Sequence, residues 1–167
     1  MSDPTPAVQD LFRHAMRRQI TGVSVIATHV DGTSHGMTAN AVMSLSMEPP
    51  ALVVSVKQTA SLHAPLLAAR RFSVSYLSAG QDEVATAAGG RLQGAERFAL
   101  SCWARTDDAI PYVAGAVAVA FCDVATALPW NTHTVIVGHV TDVLLGDNDA
   151  PLYFRDGRFG ALGPAAG

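Results

Sequence analysis

The sequence predicts a mainly β protein in which antiparallel strands form a closed or nearly closed barrel with a few short helices. Six or more segments have strand-like patterns, and most are separated by short turns rather than by long helices. No strand-helix-strand unit recurs, which argues against a doubly wound parallel sheet. In the segment 115–125, small side chains alternate with bulky ones. A row of small side chains suits the tight interior of a small barrel.

The N-terminal segment predicts a tail and a helix. Apolar residues recur at helical spacing from Pro6 to Ile20, which predicts an amphipathic helix. They are Val8, Leu11, Phe12, Ala15 and Met16. We assign residues 1–10 to a disordered N-terminal tail and residues 11–164 to a single domain, because no repeat or low-complexity tract divides the rest of the chain.

Two Asp-Gly pairs predict hairpin turns. Asp31-Gly32 separates two extended segments, and Asp156-Gly157 divides a last hairpin over 152–162. A type I′ turn needs a positive φ at both central residues, which favours this pair between strands. Pro49-Pro50 ends the second extended segment, because proline cannot donate a hydrogen bond to a strand ladder. The apolar, β-branched run 51–56 then predicts a further strand.

Two short helices are predicted between the strands. One covers about residues 60–70, with Thr59 or Ser61 as its N-cap. Ser78 followed by Gln81 predicts a capping box at the start of the other. Both helices are expected to be connections on a β framework.

The remaining segments predict three strands and one irregular region. Residues 72–77 and 115–125 alternate in side-chain character, and residues 133–145 form another long strand. Residues 91–112 are expected to be rich in loops. The phenylalanines expected in the core, rather than against a cofactor, are Phe12, Phe72 and Phe121.

The composition limits the classes of partner. The 167 residues are 49% hydrophobic and 15% charged, so a partner copy or a cofactor is expected to cover some apolar surface. A net charge of −3 gives no reason to expect nucleic acid or an anionic membrane. Cys102 and Cys122 match no metal spacing and are expected to be reduced and buried. No signal peptide or membrane span is recognisable, so we expect a cytoplasmic protein.

Several catalytic motifs are absent from the sequence. It contains no GxSxG elbow, no P-loop and no GxGxxG after a strand. His133 and His139 are about 20 Å apart along one strand, too far to share a metal. His29 and His35 flank a hairpin turn, but neither has a carboxylate or cysteine nearby, so we expect no metal site. If the chain is an enzyme, a bound cofactor must supply its chemistry.

Two short segments have the residues that a flavin needs. "GMTANA" (36–41) offers close backbone approach at Gly36 and Ala39, with donors at Thr38 and Asn40. "SVKQTAS" (55–61) places a lysine and two hydroxyl residues where a helix is predicted to begin, which suits a phosphate. A turn rich in threonine and asparagine followed by an ordinary helix cap would explain the same residues.

Residues 11–162 resemble the short-chain flavin reductases, the reductase components of two-component flavin-dependent monooxygenases. The most specific similarity is "HGMTANAVMSLSMEPPALVVSV" (35–56). The others, in chain order, are "FRHAMRRQITGVSVIAT" (12–28), "RRFSVSYLSAGQDEVA" (70–85), "GAVAVAFCDV" (115–124), "THTVIVGHV" (132–140) and "PLYFRDGRFGAL" (151–162).

The resemblance implies an antiparallel split β-barrel of the Greek-key, FMN-binding type that forms a homodimer with flavin near its interface. It implies that NADH or NADPH passes a hydride to FMN or FAD, and that reduced flavin goes to a partner monooxygenase. Two other functions stay open: a flavoprotein that holds FMN tightly, as an electron carrier or to oxidise its own substrate, and a cofactor-free dimeric barrel.

The resemblance also implies roles for individual residues. The isoalloxazine ring is expected against Met37, Thr38, Ala39, Asn40 and Ala41. The ring edge and ribityl chain are expected along Ser55, Val56 and Lys57, and the phosphate near Ser61 and His63. His133, which opens a long strand, is expected beside the nicotinamide as the catalytic residue. The family commonly has Gly-Asp-His before this strand, whereas this chain has Trp130-Asn131-Thr132-His133.

Overall fold

The computed structural model of the chain describes residues 5–147 and 150–162. Its strands are β1 (Thr21–Gly22), β2 (Ser24–Val30), β3 (Thr33–Ala39), β4 (Val42–Met47), β5 (Pro50–Lys57), β6 (Arg71–Tyr76), β7 (Trp103–Arg105), β8 (Pro111–Val113), β9 (Ala118–Trp130), β10 (His133–Leu145), β11 (Leu152–Arg155) and β12 (Arg158–Ala161). Its helices are α1 (Pro6–Arg18), α2 (His63–Ala69) and α3 (Asp82–Thr86), and α3 continues into a π-helical turn (Ala87–Arg91) and a 3₁₀-helix (Gly94–Phe98).

Seven strands form one antiparallel sheet in the order β3-β2-β6-β9-β10-β5-β4. The two edge strands, β3 and β4, are consecutive in the chain, and only Asn40 and Ala41 lie between them. Three Cα–Cα steps cover at most about 11 Å, so the sheet must curl until its edges nearly meet. Within the described residues no ladder joins β3 to β4. The predicted mainly β, antiparallel split barrel is therefore confirmed.

The predicted hairpins are also confirmed. Asp31 and Gly32 have φ of 50° and 72°, and Asp156 and Gly157 have φ of 48° and 81°. These positive values at both central positions match the two-residue turns that the Asp-Gly pairs predict. The strand predicted over 133–145 has the same bounds in the structure.

The interior of the barrel packs one large ring against small residues. Phe72 is fully buried, and a Cβ added to Gly138 would lie 2.6 Å from its ring. Ala120 and Cys122 face the same interior, while Phe121 packs outside it against the β8 region. The prediction that small residues of this strand face inward is confirmed for Ala120 and Cys122, whereas Ala116 precedes the strand and packs beside Phe121. The strand begins at Ala118 and runs on to Trp130.

Both predicted helix caps differ from the structure. Leu62, not Thr59 or Ser61, is the N-cap of α2, and no side chain caps that helix. Gln81 accepts a hydrogen bond from the Ser78 backbone N–H at 3.0 Å, as in a capping box. The Ser78 hydroxyl instead donates to the Gly115 carbonyl at 2.8 Å, because the loop before β9 brings that acceptor closer than the helix. The hydroxyls of Thr59 and Ser61 are thereby left available to other partners.

Helix α1 lies on the surface with no buried residue. Thr5 caps it, so residues 6–10 of the predicted tail are helical, while residues 1–4 lie outside the described residues. Phe12 is 64% exposed, so the expectation that it packs in the core is wrong. The boundary between tail and domain stays a prediction. In the described part of the chain, no helix combines the length and apolarity needed to cross a membrane.

We predict that Gly138→Ala destabilises the barrel. The new methyl group would overlap the Phe72 ring and crowd the Cys122 side chain, and both of these residues are buried in the barrel. Overpacking of this kind costs about 1–3 kcal/mol. Chemical denaturation monitored by circular dichroism measures the loss. Gly22→Ala is the matched control, since no atom lies within 4 Å of its added Cβ. Equal stability of the two variants would contradict the packing argument.

Candidate functional site

Four segments meet beside the split in the barrel. The Asn40-Ala41 link joins the edge strands, and Ser55 of β5 donates its backbone N–H to the Ala41 carbonyl at 3.0 Å. The first residue of β10, His133, lies directly opposite Lys57 at the end of β5. The β5 end and the β9–β10 hairpin are therefore held in one register. The fourth segment, Ala85–Phe98, crosses the β3 side of the same region.

Three of the residues predicted to line the ring have side chains that bond to or pack against other parts of the protein. The Thr38 hydroxyl donates to the Ala85 carbonyl at 2.5 Å. Met37 packs against the interior cluster, and Ala39 is buried within it. These residues are therefore suited to contact a ligand mainly through their backbone groups. Asn40 and Ala41, which follow them, are exposed, and no bond involves the Asn40 amide within the described residues.

The end of β5 presents alternate residues to opposite sides. Val56 is fully buried in the barrel, so it too can contact a ligand only through its backbone. Ser55 is half-buried and Lys57 is exposed. Lys57 has no ion-pair partner in the part of the chain that the structure describes. Its ammonium group is therefore available to an anion.

An arginine that sequence reasoning missed lies beside Ser61. Arg97 donates to the Ser61 hydroxyl at 3.2 Å and to the Gly36 carbonyl at 2.6 Å. A further bond to the Leu92 carbonyl, at 2.8 Å, fixes the guanidinium group. Arg97 stands 36 positions after Ser61 in a segment predicted only to be irregular. No local pattern could have placed it here.

His63 has a partner inside the protein. Its Nε2 lies 2.8 Å from the hydroxyl of Thr134, a buried residue of β10. This contact ties α2 to the strand that begins with His133. His63 therefore has a structural bond in addition to any contact with a phosphate.

His133 lies at the exposed tip of the β9–β10 hairpin. Its Nδ1 is 2.9 Å from the Thr132 hydroxyl. Asn131 occupies the left-handed region with φ of 47°, a conformation that asparagine tolerates. Gln58, another residue that sequence reasoning missed, donates to the Thr132 carbonyl from its backbone at 2.9 Å and to the His133 carbonyl from its side chain at 3.2 Å. Gln58 therefore fixes the hairpin tip relative to Lys57.

The resolved pKa shifts lie away from this region. Burial, with the nearby charge of His29, lowers the pKa of His35. Burial also raises the pKa of Cys122 to about 12, so this thiol is protonated and inert at neutral pH. Cys122 is buried and Cys102 is half-buried, and both are free thiols. Among the described residues, no three His, Cys, Asp or Glu side chains are grouped as metal ligands would be.

The groups around the split suit a flavin. Asn40 offers an unpaired amide to ring heteroatoms, and the small residues Ala39 and Ala41 let backbone approach a flat ring. Lys57 follows two residues after Ser55, which bonds to the Ala41 carbonyl, and the hydroxyl residues Thr59 and Ser61 come next, with Arg97 bonded to Ser61. Cations and hydroxyls are the usual partners of a phosphate.

Comparisons with known proteins point the same way. The family described as "Flavin reductase like domain" matches residues 16–163. The reductase component of FADH(2)-dependent resorcinol hydroxylase from a Rhizobium species is 36% identical over 156 residues, covering 92% of this chain and 87% of the relative. The reductase component of 4-hydroxyphenylacetate 3-monooxygenase from Thermus thermophilus is 36% identical over 151 residues, covering 90% of this chain and 95% of the relative. A solved NADH:FAD oxidoreductase of Streptomyces globisporus, in complex with NAD and FAD fragments, superposes with a TM-score of 0.88 at 28% identity and covers both chains completely (100%).

Proposed function

The chain belongs to the flavin reductase-like domain family, and on that premise we propose that it is an NAD(P)H:flavin oxidoreductase. It reduces FMN or FAD by hydride transfer and supplies the reduced flavin to a partner monooxygenase. The observation that carries this proposal is the grouping of Asn40, Lys57, Ser61 and His133 at one end of the barrel, beside its split. Two relatives that cover nearly all of the chain are named reductase components of hydroxylating enzymes.

The flavin-binding role is divided between backbone and side chains. Met37, Thr38, Ala39 and Val56 contribute backbone groups, because their side chains are buried or bonded within the protein. The ring then lies against Asn40 and Ala41. Arg97 and Ser61, which are bonded to each other, hold the phosphate, with Thr59 completing the set.

The bound flavin supplies the hydride acceptor, and this chain positions the donor against it. Positioning of two reactants at about 3–3.5 Å is a major part of the rate in such transfers. His133 is the catalytic residue, placed to orient the nicotinamide at the ring. Gln58 is a positioning residue that holds the hairpin carrying His133. The Lys57 ammonium offsets negative charge at the ring edge.

We favour NADH as the donor, because a structural relative that spans the whole chain is named an NADH-dependent enzyme. The site itself is open: Asn40, Ala41, Lys57, Ser61 and His133 are all exposed. An open site with few enclosing contacts favours a flavin that exchanges with solution over one held permanently. Exchange is what delivery of reduced flavin to another enzyme requires.

We also propose a homodimer, because apolar side chains cover two exposed surfaces. One is the outward face of α1, formed by Val8, Leu11, Phe12 and Met16. The other is the edge strand β4, where Met43, Leu45 and Met47 are all more than half exposed. Contiguous exposed apolar side chains of this size mark interaction surfaces. Sedimentation velocity tests the proposal, and a monomer mass at micromolar concentration would contradict it.

The function is tested by oxidation of NADH and NADPH with FMN, FAD or no flavin added. We expect rapid oxidation of NADH only when flavin is present, since the open site loses its flavin on purification. The absorbance at 340 nm measures the rate. A colourless protein that oxidises neither nucleotide with either flavin would contradict the proposed function. A yellow protein that oxidises NADH without added flavin would contradict flavin exchange.

Arg97→Ala should weaken FMN binding while leaving riboflavin binding nearly unchanged. Arg97 is proposed to contact the phosphate, which riboflavin lacks, and a charged hydrogen bond contributes about 1.5–3 kcal/mol. The dissociation constant for FMN should therefore rise about 10- to 100-fold. Fluorescence titration measures both ligands. Arg91→Ala is the matched control, because Arg91 lies in the same segment but pairs with Glu83. Equal losses for FMN and riboflavin would mean that Arg97 only shapes the site.

His133→Ala should raise the Michaelis constant for NADH and leave flavin affinity unchanged. Loss of one orienting hydrogen bond of about 0.5–1.5 kcal/mol corresponds to a change of about 2- to 10-fold. Steady-state kinetics at saturating FMN measure it. His139→Ala is the control on the same strand, since that exposed residue lies about 20 Å further along. A collapse of flavin affinity with an unchanged Michaelis constant would assign His133 to the flavin instead.

A further inference from the structure

An indole and a phenyl ring hold the backbone at Arg97. Trp103, the first residue of β7, donates its indole Nε1–H to the Arg97 carbonyl at 2.7 Å. Phe98, which follows Arg97, packs on the indole with the ring centroids 4.5 Å apart and the ring planes inclined at 47°. Aromatic pairs at this separation attract each other beyond the effect of the area that they bury. Trp103 therefore contacts both Arg97 and the residue after it.

Both rings pack against Gly36, in the middle of β3. A Cβ added to Gly36 would lie 3.2 Å from the Phe98 ring and 3.6 Å from the Trp103 ring. The first distance is shorter than an ordinary contact between carbon atoms, which is about 3.5–4.0 Å. The missing side chain at Gly36 thus lets the two rings lie against the strand. The Gly36 carbonyl accepts the 2.6 Å bond from Arg97 Nη1, so one residue of β3 contacts the brace and the cation together.

These contacts matter because the segment that carries Arg97 has little else to hold it. The 3₁₀-helix Gly94–Phe98 contains no buried residue. Gly90, which precedes this helix, and Gly94, which begins it, have φ of 128° and 51°, a region that glycine enters at little cost. A segment with few buried contacts opens locally more easily than the core. The position of Arg97 therefore depends on its hydrogen bonds and on the two rings.

Arg97 has a positive charge that no carboxylate of the described residues neutralises. Its Nε donates to the Leu92 carbonyl, and its Nη1 donates to the Gly36 carbonyl and the Ser61 hydroxyl, all of which are uncharged. Within residues 5–147 and 150–162, its Nη2 has no hydrogen-bond partner and the side chain forms no ion pair. The two Nη2 N–H groups are therefore available to an anion.

We propose that Trp103 is a positioning residue for binding of the flavin phosphate. With Phe98 it forms a pair of rings, named here the aromatic brace, which packs on Gly36 and holds the Arg97 backbone against β3. A side chain that is ordered before the ligand arrives loses less conformational freedom on binding, so the brace strengthens the contact between Arg97 and the phosphate. Trp103 is thereby a determinant of the preference for a phosphorylated flavin over riboflavin. The inference rests on the proposed function, which assigns the phosphate to Arg97 and Ser61.

The test is Trp103→Phe, which removes the indole N–H and keeps an aromatic ring. The dissociation constant for FMN should rise about 2- to 10-fold, the equivalent of one hydrogen bond, while that for riboflavin stays within about twofold. Titration of flavin fluorescence measures both ligands. Tyr112→Phe is the matched control in the strand paired with β7, because the Tyr112 ring packs on Phe121 and its hydroxyl has no partner in the part of the chain that the structure describes. This control should bind both flavins normally.

A double-mutant cycle shows whether Trp103 acts through Arg97. If it does, adding Trp103→Phe to Arg97→Ala should cause no further loss of FMN affinity, since the guanidinium group that the brace positions is already absent. Losses that add in the double variant would mean that Trp103 affects FMN by another route. Such additivity would overturn the proposed positioning role.

A second variant tests the brace if Trp103→Phe does not fold, as judged by circular dichroism. Phe98→Leu keeps an apolar side chain and the Trp103 hydrogen bond, but removes the contact between the rings. It should also weaken FMN binding more than riboflavin binding. FMN affinity that is unchanged in the folded variant, or equal losses for FMN and riboflavin, would overturn the aromatic brace for either substitution.

Failure of this inference can be separated from failure of the proposed function. A protein that oxidises NADH only with added flavin, and whose Arg97→Ala variant loses FMN but not riboflavin affinity, has the proposed site whatever Trp103→Phe does. An unchanged Trp103→Phe variant of that protein overturns the aromatic brace alone. A protein that reduces no flavin but loses FMN affinity selectively in Trp103→Phe overturns the function and leaves the positioning role of Trp103.

Discussion

The two-residue link between the edges of the large sheet is the constraint on which the rest of the structure depends. β3 and β4 are the first and last strands of a seven-stranded sheet, yet only Asn40 and Ala41 separate them in the chain. A link this short forces the sheet to curl into a barrel. The edges do not complete the ladder in the described residues, so the barrel stays split between them. The exposed Asn40 and Ala41 lie at this split, where a ligand can reach them.

The pairing of β5 with β10 positions the residues on the other side of the site. His133 lies opposite Lys57, and the register continues to His139 opposite Ala51. The position of β10 depends in turn on the barrel interior, where Gly138 makes room for the Phe72 ring. A larger residue at position 138 would move the strand that begins with His133. The core packing around Gly138 therefore also determines the placement of His133.

The turns and strands that depend only on neighbouring residues could be predicted from the sequence. Asp31-Gly32 and Asp156-Gly157 form the expected turns because their positive φ values are set within two residues. The long strand 133–145 was predictable because its pattern is uninterrupted. Arg97 and Gln58 could not be predicted in the same way, since two partners of Arg97 lie 36 and 61 positions away and the side chain of Gln58 reaches a carbonyl 75 positions away. The prediction of Thr59 or Ser61 as a cap rests on the usual role of a hydroxyl before a helix; here α2 begins later, and the Ser61 hydroxyl accepts a hydrogen bond from Arg97 instead.

Helix α1 shows why an amphipathic pattern does not determine which face is buried. Its polar side lies toward the β11–β12 hairpin through Arg17 and Asp156, while its apolar side faces outward. An exposed ion pair contributes only about 0–1 kcal/mol, too little to hold a 13-residue helix firmly. In the proposed homodimer a second copy would cover this apolar face, and each large side chain buried there would contribute about 1.5–3 kcal/mol. A cover over the apolar face would therefore fix the position of α1 more firmly than the exposed Arg17–Asp156 pair does.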